Sequence, residues 1–93
     1  MLATAGAAAA LTLHRQPTGR AATVQRVVAP AHAPDWALRL AELGFIPGER
    51  VMITARGFPG GDPLAVRVGD STFALRRAEA ACVHLAPEPQ AAA

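Results

Sequence analysis

The sequence predicts a mainly β fold, a small barrel of about five short strands with one short helix interposed. Three observations carry this expectation. Short β-branched runs recur between breaker-rich loops, as a series of antiparallel strands requires. Gly69-Asp70 sits between two runs whose apolar residues alternate in matching phase. One segment, from Pro34 to Gly44, has helical spacing instead of alternation. A sheet of so few strands covers its core and its edges by closing on itself.

The elements follow in order. Leu11-Thr12-Leu13 is a lead-in that breaks at Gln16-Pro17-Thr18-Gly19. Residues 21–28 form a first strand, and residues 29–33, with Pro30 and His32, a loop. Pro34 suits the first turn of a helix, where its missing N–H costs nothing, and Asp35 places a favourable negative charge there. Trp36, Leu40 and Leu43 fall at i, i+4 and i+7, one apolar stripe with Arg39 and Glu42 opposite. Gly44 follows as a left-handed stop. Pro47-Gly48 fits the centre of a type II turn, because proline presets φ and glycine accepts a positive one. Residues 51–56 open a second strand, and residues 57–63 form a loop dense in glycine and proline. Residues 64–68 and 71–76 are strands three and four. A two-residue turn between them sets Val68 opposite Ser71, Val66 opposite Phe73 and Leu64 opposite Leu75 on one apolar face. Residues 77–81 read as a single helical turn, and residues 82–85 as a last strand.

Ninety-three residues support one domain. The hydrophobic fraction of 52% contains much alanine, which buries little area, so the core falls to Val, Leu and Ile with Trp36, Phe45, Phe58 and Phe73. The alanine-rich residues 1–10 and the tail 88–93 are expected to be disordered, leaving residues 11–87 as the folded unit. All nine basic side chains other than histidine are arginine, and they are spread along a chain of net charge +2. With no run of like charge and only 4% aromatic residues, stacking platforms for nucleic acid are lacking, so no nucleic-acid partner is expected. The single Cys82 rules out an internal disulfide and suits a reduced, cytoplasmic setting. The apolar start has no preceding positive charge and is far shorter than the ~20 residues of a membrane span, so no membrane insertion is expected.

Chemistry-bearing groups are few. Residues 57–61 lack the Lys-Ser/Thr of a phosphate loop and lie between strands. Ser71 beside Asp70 occupies a hairpin tip, where turn formation explains both. Cys82 and His84, at i and i+2 on a strand, would share a face and permit joint coordination of Fe²⁺ or Zn²⁺, the basis of an alternative reading as a transition-metal sensor or carrier. The plainer reading is a small buried thiol beside an edge histidine. Arg76-Arg77 next to Glu79 is a charged patch that either docks an acidic surface or is a solvated strand end. No enzymatic constellation emerges.

Three motifs carry a resemblance. Arg39-Leu40-x-x-Leu43-Gly44-Phe45-x-Pro47-Gly48-x-x-Val51 comes first. Gly61-Asp62-Pro63-Leu64 and Ala74-Leu75-Arg76-Arg77-x-Glu79-Ala80 follow in order. Together they resemble the FeoA family, over nearly all of the folded unit. The resemblance implies an SH3-like barrel, related to the C-terminal domain of DtxR-type iron-dependent repressors, whose helix-turn-helix half has no counterpart here. It also implies an accessory role in bacterial ferrous iron uptake, with the FeoB membrane transporter and its cytoplasmic GTPase domain as partner. The contact surface is expected at Arg39, Phe58, Asp62, Arg76 and Arg77. The aromatic groove that holds proline-rich peptides in eukaryotic SH3 domains is missing, so polyproline recognition does not come with the fold. Unpaired strand edges leave a homodimer open.

Overall fold

The computed structural model describes residues 11–87. Expectations for residues 1–10 and 88–93 lie outside them. A 3₁₀ turn at Leu13–Arg15 precedes β1 (Ala21–Val27), α1 (Asp35–Leu43), β2 (Arg50–Arg56), β3 (Leu64–Val68), β4 (Ser71–Leu75), α2 (Arg77–Ala80) and β5 (Val83–Leu85). The strands form one antiparallel sheet in the order β4-β3-β2-β1-β5.

The β3–β4 register is the expected one: Val68↔Ser71, Val66↔Phe73 and Leu64↔Leu75. Gly69 carries the turn at φ +59°. Elsewhere the pairing slips where sequence alone shows no signal, between Val24 and Arg26 on β1 and between Ile53 and Ala55 on β2. Such slips add twist and bend the strands.

The expected barrel is met in part. β4 and β5 end the strand order, and no ladder joins them among the described residues, so the sheet is not closed. Residues 76–82 carry the chain from one of these edges to the other, and α2 packs there against the 3₁₀ turn. The outer side of β5 receives an isolated bridge from Thr12 to His84 and a hydrogen bond from the Leu85 N–H to the Leu11 carbonyl, 2.9 Å. A helical turn and a lead-in segment thus stand where further pairing would close the sheet.

The junction between α1 and β2 is built as its residues dictate. Gly44 adopts φ 114°, its N–H bonding the Ala41 carbonyl, while the Phe45 N–H reaches back to the Leu40 carbonyl, each at 3.0 Å. This paired cap consumes carbonyls that the helix end would otherwise leave open. It also swings Phe45 onto Leu40, and both side chains are 1% exposed. Burying Phe45 alone contributes roughly 1.5–3 kcal/mol. Gly48 then takes φ +93° in a turn closed by the Glu49 N–H on the Ile46 carbonyl. Leu40 and Phe45 plug a core lined by Val24, Val51, Ile53, Leu64, Val66, Leu75 and Val83, with Leu13 sealing it from the lead-in.

Two aromatic expectations need correction. Phe58 is 97% exposed and contributes nothing to the core. Its loop pinches shut at the base: the Gly57 N–H bonds the Pro63 carbonyl at 2.7 Å, and a side chain at Gly57 would stand 2.7 Å from the Asp62 carbonyl oxygen. Trp36 is only half-buried. It packs against the core and meets His32 edge-on, ring centres 5.9 Å apart.

Candidate functional site

The expected contact residues gather around α2. Glu79, 6% exposed, is the pivot. One carboxylate oxygen, Oε1, accepts the Arg76 N–H at 2.8 Å, and Oε2 pairs with the guanidinium of Arg39 on α1. The N–H groups of Glu79 and Ala80 in turn donate to the Arg76 carbonyl. A glutamate three residues into a helix that reaches back to the preceding N–H is half of a capping box, and here its second oxygen also anchors another helix. Asp62 Oδ1 accepts the Arg77 N–H at 3.0 Å, tying the 57–63 loop to the same turn. Arg39, Asp62, Arg76 and Arg77 thus share one neighbourhood, with Phe58 on the loop that Asp62 anchors. Both carboxylates are engaged, while the side chains of Arg76 and Arg77 are exposed.

Two further residues, Arg56 and His14, join this end of the molecule, and sequence reasoning placed neither there. Arg56, closing β2, donates through Nη2 to the carbonyls of His14 and Gln16 and through Nε to Thr18 Oγ1, strapping the lead-in to the sheet. These partners lie about forty positions away in sequence, and no local pattern announces them. His14, whose carbonyl takes one of these bonds, has its Nδ1 3.1 Å from Thr12 Oγ1. Burial, and then the charges of Arg15, Arg77 and Arg56, hold its pKa below the usual histidine value.

The metal pair fares differently. β5 begins at Val83, so Cys82 lies in the turn before it, and strand alternation does not extend to the thiol. Cys82 is 5% exposed, its Sγ directed at the Ala78 carbonyl, and burial pushes the thiol pKa up, away from the thiolate that a metal needs. His84 is half-buried in β5. Among the described residues no group of three or more His, Cys, Asp or Glu side chains is placed to hold a metal. No described helix is long and apolar enough to cross a membrane.

The described residues also bound two open cavities of about 400 and 390 Å³. One is bounded by Gly48, Arg50, Met52 and Arg67. The other is more apolar, bounded by Val28, Pro30, His32, Trp36, Ala78 and Cys82.

A family model for the FeoA domain matches residues 11–87. The chain belongs to the FeoA family. Among solved structures, FeoA of Stenotrophomonas maltophilia is 43% identical, with a TM-score of 0.75 over 83% of this chain and 91% of that one. That protein was crystallised with zinc and described as a prokaryotic SH3 domain protein put forward as a bacterial ferrous iron transport activating factor. Iron(II) transport protein A of Clostridium thermocellum is 28% identical, TM-score 0.68, over 81% of this chain and 44% of that one. The repressor IdeR of T. acidophilum, at 19% identity and TM-score 0.67 over 84% of this chain and 34% of its own, shares the fold alone. A comparison with the curated proteins finds no match. In this FeoA chain the Leu-Arg-Arg-x-Glu-Ala motif has a physical explanation: Leu75 fills the core, Arg76 supplies the capped N–H, and Glu79 locks α2 to α1.

Proposed function

We propose that this FeoA protein is a cytoplasmic accessory protein of ferrous iron uptake that binds the cytoplasmic GTPase domain of a FeoB-type transporter and modulates its transport. It acts by docking and carries out no reaction of its own. The observation that carries this reading is the FeoA match across the whole described unit, together with the description of the S. maltophilia relative as a transport activating factor. The site is consistent with docking. Around α2 the carboxylates of Asp62 and Glu79 are already satisfied, whereas Arg76, Arg77 and Phe58 face solvent. Aromatic and arginine side chains are the residue types that most often dominate protein interfaces.

The test is binding of the purified protein to detergent-solubilised FeoB from the same organism, with and without nucleotide. Saturable binding that weakens on reversing charge at Arg76 and Arg77 is expected, with an affinity that depends on the nucleotide. No binding in any nucleotide state, by protein shown to be folded, would overturn the reading.

A further inference from the structure

Four separate segments converge at one end of the sheet. The Arg56 guanidinium lies on the carbonyls of residues 14 and 16, α2 packs on the 3₁₀ turn, and Asp62 ties the 57–63 loop to the Arg77 N–H. The side chains this assembly presents are Arg15, Arg56, Arg76 and Arg77, all exposed, with Phe58 projecting from the loop beside them. The carboxylates within it are Asp62, which accepts the Arg77 N–H, and Glu79, which is buried against Arg39. The other described acids, Asp35, Glu42, Glu49 and Asp70, lie on other elements or loops. The charge is thus polarised although the chain as a whole carries only +2.

We propose that this end, with Phe58 at its tip and Arg15, Arg56, Arg76 and Arg77 around it, is a peripheral docking surface for an anionic phospholipid bilayer. Arginines near an anionic leaflet are attracted to its surface potential, and a ring carried on a loop tip can enter the headgroup boundary without disturbing the fold beneath. Shape favours a bilayer over an acidic peptide. A peptide held in a groove is disfavoured, because neither cavity described above is bounded by any of these five residues. Phe58 is 97% exposed on a projection, which suits a planar, deformable partner. The contact is weak, and it uses Arg76, Arg77 and Phe58, the residues of the transporter contact proposed above, so bilayer and transporter compete for them. Bilayer binding would concentrate the protein at the membrane and orient it there, and it does not rest on the transporter reading.

The experiment is co-sedimentation of the full chain with phosphatidylcholine vesicles, with or without phosphatidylglycerol. Binding is expected only to the anionic vesicles and is lost in high salt, where screening shortens to a few ångströms. The double variant Arg76→Glu, Arg77→Glu should weaken binding at least about 25-fold, from roughly fivefold per arginine. Phe58→Ala should weaken it several-fold while leaving the circular dichroism spectrum unchanged. No binding to anionic vesicles, or equal binding by wild type and both variants, overturns the proposal. Capture of soluble poly-glutamate in place of vesicles, abolished by the arginine variant, would also overturn it and assign the surface to an acidic protein. The vesicles contain no transporter, so failure here and failure of FeoB binding are separate results.

Discussion

Removing the Arg39–Glu79 contact tests whether α2 is held to α1 by a pair or by each residue independently. Glu79 does two jobs with two oxygens, and substitutions can separate them. Glu79→Gln keeps a carbonyl oxygen for the Arg76 N–H but loses the charge opposite Arg39. The Arg39 side chain is 54% exposed, so water screens the pair, and the loss is about 1 kcal/mol, near the upper end for exposed pairs. Arg39→Ala should cost a similar ~1 kcal/mol, since Glu79 retains its backbone partner. The double variant should then be little worse than either single one, because both changes remove the same contact. Glu79→Ala goes further and strips the capping acceptor as well, another ~1 kcal/mol, for about 2 kcal/mol in total. Urea unfolding followed by Trp36 fluorescence measures all four, and for a domain of this size each kcal/mol shifts Tm by roughly 4–8 °C. Single effects that simply add in the double variant would refute the reasoning, as would Glu79→Ala falling level with Glu79→Gln.

Further expectations can be checked in the same way. Gly44→Ala should destabilise by about 2 kcal/mol in urea unfolding, since Gly44 sits at φ +114° and a Cβ would stand 2.8 Å from Val68 Cγ1. Phe58→Ala should leave stability within about 0.5 kcal/mol of wild type by thermal unfolding, as its ring touches no core. His14, with its pKa lowered in the folded state, binds its proton more readily when unfolded. Stability should therefore fall as pH drops below about 6.5 and level off once the folded state also protonates, and His14→Gln should remove that portion of the pH profile. The Cys82 thiol, with its pKa raised by burial, should react with a thiol reagent much more slowly at neutral pH in the native protein than in denaturant.

What the sequence made legible was local. The β3–β4 register follows from a turn of two residues, which leaves the flanking alternation a single solution. The Gly44 and Gly48 conformations follow from proline, glycine and the end of an apolar stripe, all within a few positions. The resemblance drew attention to Arg39, Asp62, Arg76 and Arg77, but the bonds they make were not legible in it. Arg39 and Asp62 looked like surface charges and are partly fasteners, because Glu79 lies 40 positions from Arg39 and Arg77 lies 15 from Asp62. Arg56 gave no signal, since its partners are backbone carbonyls, which every residue has. Phe58 was misread by composition: hydrophobicity favours burial, but the ring stands 97% exposed on its loop. Cys82 was misread by one residue, enough to take the thiol out of the strand.

The bond between Leu11 and Leu85 brings the two ends of the described chain side by side. Topologically, the fold is close to a ring interrupted once. A short linker from Pro87 to Leu11 would complete it, and a new opening at Gly60-Gly61, in the loop between β2 and β3, would leave every ladder of the sheet intact. For the same reason the unit can be spliced into a loop of another protein with little strain on its host, since it enters and leaves through one doorway.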